Sequence, residues 1–181
     1  ISAVISQSEA TRALRAAHAG FYLSAETVSV GVIGPGNVGG TLLDQMALQA
    51  EHLLNTFNLD YRVRGIATSS IMYLADSRVE LSNWREELKA HGEPLDWDRF
   101  EAHVNADHLP HAVMVDCTAD DDVAGRYKNW FGSGIHVITP NKKAQSGPLK
   151  AFDEMQAVRR EQQVHFLYET ACGAALPIIQ T

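Results

Sequence analysis

The pattern of apolar and polar positions changes period several times along the chain. "VSVGVI" (28–33) is an unbroken run of small and β-forming residues, the kind buried on both faces of a parallel sheet. Beyond a glycine-rich turn, Leu42, Leu43, Met46, Ala50, Leu53, Leu54 and Phe57 recur at helical spacing, which predicts a helix over 40–57 lying on that sheet. "YRVRGIAT" (61–68) predicts a second strand. Residues 72–110 are more polar. Here "NWREELKAH" and "DWDRFEAHVNA" read as two helices broken by "GEP", in an insertion packed at the edge of the domain. The alternation then resumes, with strands at "HAVMVDCT", "GIHVIT" and "VHFLYE" and helices at "DDVAGRYKNWF" and "PLKAFDEMQAVRREQ". Pro148 opens the last helix, where its missing N–H costs nothing.

Strands alternating with helices imply an α/β domain: a Rossmann-like, doubly wound parallel sheet with helices on both faces. A short β-α segment precedes it. "ISAVISQ" has β character, and "SEATRALRAAHAGFYL" places Ala10, Leu14, Ala17 and Phe21 on one helical face after Ser8. The expected organisation is therefore 1–24 as the end of a preceding unit and linker, 25–171 as the sheet domain, and 172–181 as the start of a further domain. The chain reads as a piece of something longer.

Composition narrows the function classes. A net charge of −7 argues against a nucleic-acid surface, which is normally basic, though a local basic pocket for a phosphate remains compatible with it. No apolar run reaches the roughly 18 residues that a membrane span needs. The N-terminus lacks the basic region and unbroken apolar core of a signal peptide. Cys117 and Cys172 are too few for a disulfide framework or a four-cysteine zinc site, and are expected to be reduced, buried thiols in a cytoplasmic protein. The eight histidines show no metal spacing and read as surface or edge residues.

The candidate chemistry begins in "GVIGPGNVGG" (31–40). Gly34, Gly36 and Gly39 form G-x-G-x-x-G between a strand and a helix. In that context Gly34 makes the turn, Gly36 lets backbone approach a pyrophosphate, and Gly39 permits close helix–strand contact. The helix N-terminus adds unpaired N–H groups and about half a positive charge. After the second strand, where a carboxylate usually takes the ribose 2′-hydroxyl of NAD, stand Ala67, Thr68, Ser69 and Ser70. NADP is thus admitted and favoured, and NAD is not forbidden. Arg62, Arg64 and Arg78 are candidate partners for a 2′-phosphate.

Further along, Thr118 ends a strand where it can hydrogen-bond a cofactor or cap the helix over 122–131, and Asp120, Asp121 and Asp122 suit a first helical turn better than a metal. In "VITPNKKAQSG" one lysine can bind anionic or carbonyl groups or move a proton, and at least one reads as a solvated loop residue. In "YETACGAALP", Glu169 with backbone carbonyls can bind a hard cation, and a plain small-residue turn fits equally.

Taken in order, "GVIGPGNVGG", "GIATSS", "VDCTA", "GIHVITPNKKA" and "LYETACGAALPII" resemble homoserine dehydrogenase over residues 28–181. The first 24 residues resemble the end of an aspartokinase regulatory (ACT) domain, a joining similar to that of bifunctional aspartokinase–homoserine dehydrogenases. The resemblance implies NADP-dependent interconversion of aspartate semialdehyde and homoserine, in threonine and methionine biosynthesis, by a cytoplasmic homo-oligomer with no nucleic-acid or membrane partner. The rivals are another Rossmann dehydrogenase of a small aldehyde and a non-catalytic nucleotide-sensing domain.

By this resemblance, Gly34, Gly36, Asn37, Val38 and Gly39 hold the pyrophosphate. Ala67, Thr68 and Ser69 lie by the adenosine ribose, and Thr118 by the nicotinamide half. Lys142 is the cofactor-contacting and catalytic lysine, while Glu169 and the carbonyls of Cys172, Ala174 and Leu176 form a monovalent-cation site, sodium for example. Where the family has E-x-x-V-G-A-G-L-P, this chain has Cys172 for the Val and Ala175 for the second Gly, which removes backbone freedom from that loop. The family's substrate domain follows this motif and lies outside these residues. The chain is thus expected to bind cofactor without turning over substrate, and to show an exposed sheet edge or apolar patch.

Overall fold

In chain order the elements are β1 (Glu26–Ile33), α1 (Asn37–Phe57), β2 (Leu59–Ala67), β3 (Ile71–Leu74), α2 (Trp84–His91), β4 (Glu93–Pro94), α3 (Trp97–Val104) and β5 (His111–Asp116). There follow α4 (Asp121–Gly125), α5 (Tyr127–Gly132), β6 (His136–Ile138), α6 (Lys143–Ser146), α7 (Leu149–Glu161) and β7 (Phe166–Leu167). This computed structural model describes residues 4–7, 10, 13, 14, 17 and 26–172.

The strands form one sheet in the order β4-β3-β2-β1-β5-β6-β7. From β2 to β7 across the sheet all pairings are parallel, and β3 and β4 extend the β2 edge antiparallel. β1 is central and is buried from Val30 to Ile33, as its unbroken run predicts. Alternate residues of β1 and β5 enter two separate cores. Val30, Val32 and Val115 join Leu43 of α1 and Trp84 and Leu88 of α2 on one face. Ile33, Ala112 and Met114 join Phe100 and Val104 of α3, the aromatic trio Tyr127, Trp130 and Phe131 of α5, and Met155 of α7 on the other. The chain therefore winds to both faces of the sheet. α1 stops at Asn58, which takes the left-handed conformation at φ 55° and donates its N–H to the Leu53 carbonyl.

Several expectations are corrected. Residues 72–110 are more than an edge insertion. They supply β3 and β4, short antiparallel strands that carry no readable period, while α3 lies over β1 and β2 in the core. Phe100 sits so close to the sheet that a Cβ on Gly31 or Gly65 would come within 3.0 or 2.7 Å of its ring. The polar average of the segment hides this, because only Phe100 and Val104 of α3 are buried. The single helix expected over 121–131 divides at Arg126 into α4 and α5. Cys172 is exposed, and Cys117 is only half-buried. Likewise His103 and His136 are partly enclosed rather than surface residues.

In the N-terminal segment Val4, Ile5 and Ser6 take no strand conformation. Ala10, Leu14 and Ala17 are helical, and Phe21 lies outside the described residues, as do Ala174 and Leu176. Ile138 and Leu167, paired across β6 and β7, are 40% and 43% exposed. Among the described residues no helix is long and apolar enough to cross a membrane.

Candidate functional site

The C-terminal ends of β1, β2 and β5 meet around the glycine turn. Gly34 N donates to the Ala67 carbonyl (2.8 Å), and Cys117 N donates to the Ile33 carbonyl (2.8 Å), so one loop is held by both neighbouring strands. Each glycine has a different constraint. Gly34 sits at φ +79°, where an L side chain is strained, and its Cβ would stand 2.7 Å from Thr118 Cγ2. A Cβ on Gly39 would stand 2.3 Å from the Gly34 carbonyl oxygen, so helix and turn touch backbone to backbone. A Cβ on Gly36 would meet nothing within 4 Å. The space above Gly36 is open, and a Cβ would occupy it. This is the geometry of a backbone cradle for an anionic group.

α1 begins at Asn37 with Gly36 as its N-cap, no side chain capping it and no carboxylate in its first turn. The N–H groups of Asn37, Val38 and Gly39 precede any intrahelical acceptor and stand at the positive end of the helix dipole. Val38 is 58% exposed beside them.

The β2 end is organised by Thr68. Its hydroxyl accepts from Ser70 N (3.3 Å) and Ile71 N (3.0 Å) and donates to the Ile71 carbonyl (3.2 Å), which makes the turn into β3. Ser69 and Ser70 are exposed there, and no carboxylate lies in the turn. The three arginines named from the sequence are elsewhere. Arg62 and Arg78 pair with Asp60 at the opposite end of β2. Arg64 is buried and donates to the carbonyls of Asp76 and His103. These bonds engage all three guanidinium groups away from the turn, so none is a partner for a 2′-phosphate. Arg85 of α2, which the sequence did not single out, approaches instead. Its Nη2 lies 3.4 Å from where a Cβ on Gly40 would stand, and the Pro35 carbonyl lies 3.6 Å from the same point. Arg85 makes a bidentate pair with Asp44 at 2.9 Å and lies over the Trp84 ring. The Arg85 guanidinium and the Trp84 indole hold the Asp44 carboxyl down at about 2.

On the β5–β6 side, Thr118 N donates to Asp116 Oδ1 (2.7 Å), and Thr118 Oγ1 accepts from Asp120 N (3.2 Å). The cap of α4 is Asp120 rather than Thr118: its Oδ1 accepts from Asp122 N and Val123 N. Of the two lysines, Lys143 pairs with Asp121 at 2.9 Å. Lys142 is exposed and its ammonium has no ion-pair partner among the described residues. Asn141 between them and β6 is buried. Burial and the Asp116 carboxylate push the Cys117 thiol up to about 11, which removes it as a nucleophile at neutral pH. Glu169 Oε1 is a buried acceptor with no hydrogen-bond partner among the described residues.

Sequence reasoning missed the polar core beneath these loops: Asp116, Tyr127, Thr139 and Asn141. The signal available was an Asp ending an apolar strand and an Asn preceding the lysines. Neither shows in the sequence that the two side chains meet.

A parallel doubly wound sheet with a backbone cradle at its switch point defines a dinucleotide-binding domain. The family model described as homoserine dehydrogenase, NAD binding domain, matches residues 34–169. The chain belongs to the homoserine dehydrogenase family, of which it is the NAD-binding domain. It is 49% identical over its whole length to the bifunctional aspartokinase/homoserine dehydrogenase 1, chloroplastic, of Arabidopsis thaliana, and spans 20% of that protein. The bifunctional enzyme of Haemophilus influenzae is 37% identical over 99% of the chain, which spans 22% of it. A hyperthermophilic archaeal homoserine dehydrogenase solved in complex with NADPH shares the fold, with a TM-score of 0.67 at 22% identity over 84% of this chain and 47% of that one. The chain thus spans about a fifth of the bifunctional relatives it matches, and its cofactor class is NAD(P).

Proposed function

We propose that this domain holds NADP for the interconversion of aspartate semialdehyde and homoserine in a longer, oligomeric protein. The observation that carries the reading is the open space over Gly36, framed by the left-handed turn at Gly34 and the free N–H groups of α1. Asn37, Val38 and Gly39 N–H groups bind the pyrophosphate. NADP is favoured over NAD because the Ala67–Ser70 turn presents no carboxylate and the Arg85 guanidinium lies beside Gly40 of the loop. When bound, the nicotinamide supplies or accepts the hydride, and the protein contributes position and charge.

Lys142, exposed and without an ion-pair partner among the described residues, places its ammonium at the reacting oxygen. There it stabilises developing negative charge and holds or gives the proton that accompanies reduction of the aldehyde. Thr118, with its N–H fixed by Asp116, orients the nicotinamide half. For a monovalent cation, the fit rests on the buried Oε1 of Glu169, which has no hydrogen-bond partner among the described residues; the carbonyls of Cys172, Ala174 and Leu176 are the further ligands the family resemblance implies. The cytoplasmic placement expected from the sequence stands beside the chloroplastic one in the names of the plant relatives. A fluorescent fusion of the longer protein separates the two.

The test is NADP-dependent homoserine oxidation by the longer protein, with and without Lys142→Ala. The variant is expected to depress kcat on the order of a hundredfold or more, as removal of one electrostatic stabiliser does, with a smaller effect on NADP binding. No homoserine activity in the folded protein overturns the substrate assignment. Parent-like kcat in the variant overturns the role of Lys142.

A further inference from the structure

The loops that carry Thr118 and Lys142 rest on one buried carboxylate. Asp116 ends β5 and is fully buried. Its Oδ1 accepts from Thr118 N (2.7 Å), and its Oδ2 accepts from Tyr127 Oη (2.5 Å) and Asn141 Nδ2 (3.0 Å). Its backbone carbonyl accepts from Thr139 Oγ1 (2.8 Å), which in turn accepts from Asn141 N (2.8 Å) and lies 3.0 Å from Tyr127 Oη. Asn141 also donates to the Asp120 carbonyl (2.9 Å), and its Oδ1 accepts from Lys143 N (3.1 Å). The network therefore reaches both sides of Lys142 and both sides of Thr118.

Asp116 forms no ion pair among the described residues; its charge is met by hydrogen-bond donors alone. A buried carboxylate without a cation is costly, and an apolar side chain of similar size would hold a strand end more cheaply. The donors it gathers come from the two loops at the site and from α5, and from nowhere else among the described residues. Burial, and then the Asp116 charge, push the Tyr127 phenol above its ordinary range, so it stays a donor at every working pH.

We propose that Asp116 is a positioning residue for hydride transfer: through Asn141 and Tyr127 it sets the height of Lys142 against Thr118 across the β5–β6 crevice. This rests on the cofactor and Lys142 reading above. It predicts a larger effect on the chemical step than on cofactor affinity, because the glycine turn is also anchored on β2, where Gly34 N donates to the Ala67 carbonyl.

The experiment compares Asp116→Asn, Lys142→Ala and the swap Asp116→Asn/Asn141→Asp in the longer enzyme. Asp116→Asn keeps the size but turns one acceptor into a donor facing the donors of Tyr127 and Asn141. A displacement of about 1 Å at a reacting group costs on the order of a hundredfold, and a kcat loss of that order is expected while the NADPH dissociation constant moves less than about threefold. The swap restores a donor–acceptor pair between the two loops and is expected to recover about tenfold in kcat, the worth of one hydrogen bond to a charged group. In cofactor-free enzyme, amide exchange at Thr118 and Asn141 accelerates in Asp116→Asn, while the amides of Gly34 and Cys117 keep their protection.

Parent-like kcat in folded Asp116→Asn, or equal losses of kcat and cofactor affinity, overturns the proposal when Lys142→Ala is slow. If Lys142→Ala is as fast as the parent, the site reading itself is what fails. Should Asp116→Asn not fold, Tyr127→Phe decides: the isosteric ring loses one donor to Asp116, and an unchanged kcat sinks the positioning role.

Discussion

Replacing Gly36 with Val separates binding from folding better than any other change in the loop. Gly36 has φ −78°, an ordinary value for an L residue, and a Cβ there meets nothing within 4 Å. The protein should therefore tolerate the side chain, with stability changed by no more than about 0.5 kcal/mol, as at other open surface positions. The same side chain fills the space the pyrophosphate needs. Pushing the phosphates off the N–H groups of Asn37–Gly39 forfeits at least two charge-assisted hydrogen bonds at about 1.5–3 kcal/mol each, or roughly 3–6 kcal/mol. At 1.4 kcal/mol per decade this weakens NADPH binding by at least about a hundredfold.

Gly39→Ala is the control with the opposite balance. Its Cβ lies 2.3 Å from the Gly34 carbonyl, a backbone atom that cannot swing aside. Overpacking of this kind costs about 1–3 kcal/mol, and at about 2–4 °C per kcal/mol for a domain of this size, Tm falls by roughly 2–12 °C. Fluorescence titration with NADPH and thermal melts on the two variants give both quantities. If Gly36→Val binds NADPH within threefold of the parent while folded, the cradle is not where the cofactor binds. Equal melting losses in the two variants would show that the loop geometry has been misread.

Other outcomes follow from the same site. Thr68→Asp keeps an acceptor for Ser70 N and Ile71 N, so the turn survives, and it places a carboxylate at the end of β2; the ratio of NADPH to NADH dissociation constants should shift toward NADH, and an unchanged ratio would remove Thr68 from the ribose site. Iodoacetamide at pH 8 should modify exposed Cys172 quickly and Cys117 slowly, since burial and Asp116 raise the Cys117 thiol; peptide mass spectrometry reads the difference, and equal rates contradict the buried setting. His103 and His136 both lie below the ordinary imidazole value, mainly through burial, so the fold favours their neutral forms. Their contribution is full above about pH 6.5 and is lost as pH falls through the lowered folded values, so Tm should drop between pH 6.5 and 5, less steeply in His136→Gln; a flat profile refutes it. The 181-residue polypeptide should bind NADPH yet oxidise no homoserine, because holding substrate at the nicotinamide is worth roughly 7–11 kcal/mol of barrier and the chain spans about a fifth of its bifunctional relatives; turnover by the polypeptide alone refutes that.

What the sequence determined is whatever depends on near neighbours. The unbroken run 28–33, the helical spacing of 40–57 and the three glycines between them were legible because strand burial, helix amphipathicity and turn geometry are set by residues a few positions apart. Lys142 as the free lysine and Lys143 as the solvated, paired one could be anticipated as alternatives, but only Asp121 arriving from the neighbouring loop decided which was which. The arginines show the reverse case. Alternation along β2 assigns Arg62 and Arg64 to one face, yet their partners depend on where the strand begins, on the shift in its pairing with β1 and on Asp60 waiting near its far end. β3 and β4 exist because β2 offers an unpaired edge, a property of the assembled sheet and of no local stretch. The polar core belongs to this second class as well. Asp116 and Asn141 stand 25 positions apart, and parallel pairing of β5 with β6 brings their side chains to 3.0 Å. A carboxylate at the end of an apolar strand is visible in sequence; what neutralises it, and hence what it can hold in place, is decided by the strand that comes to lie beside it.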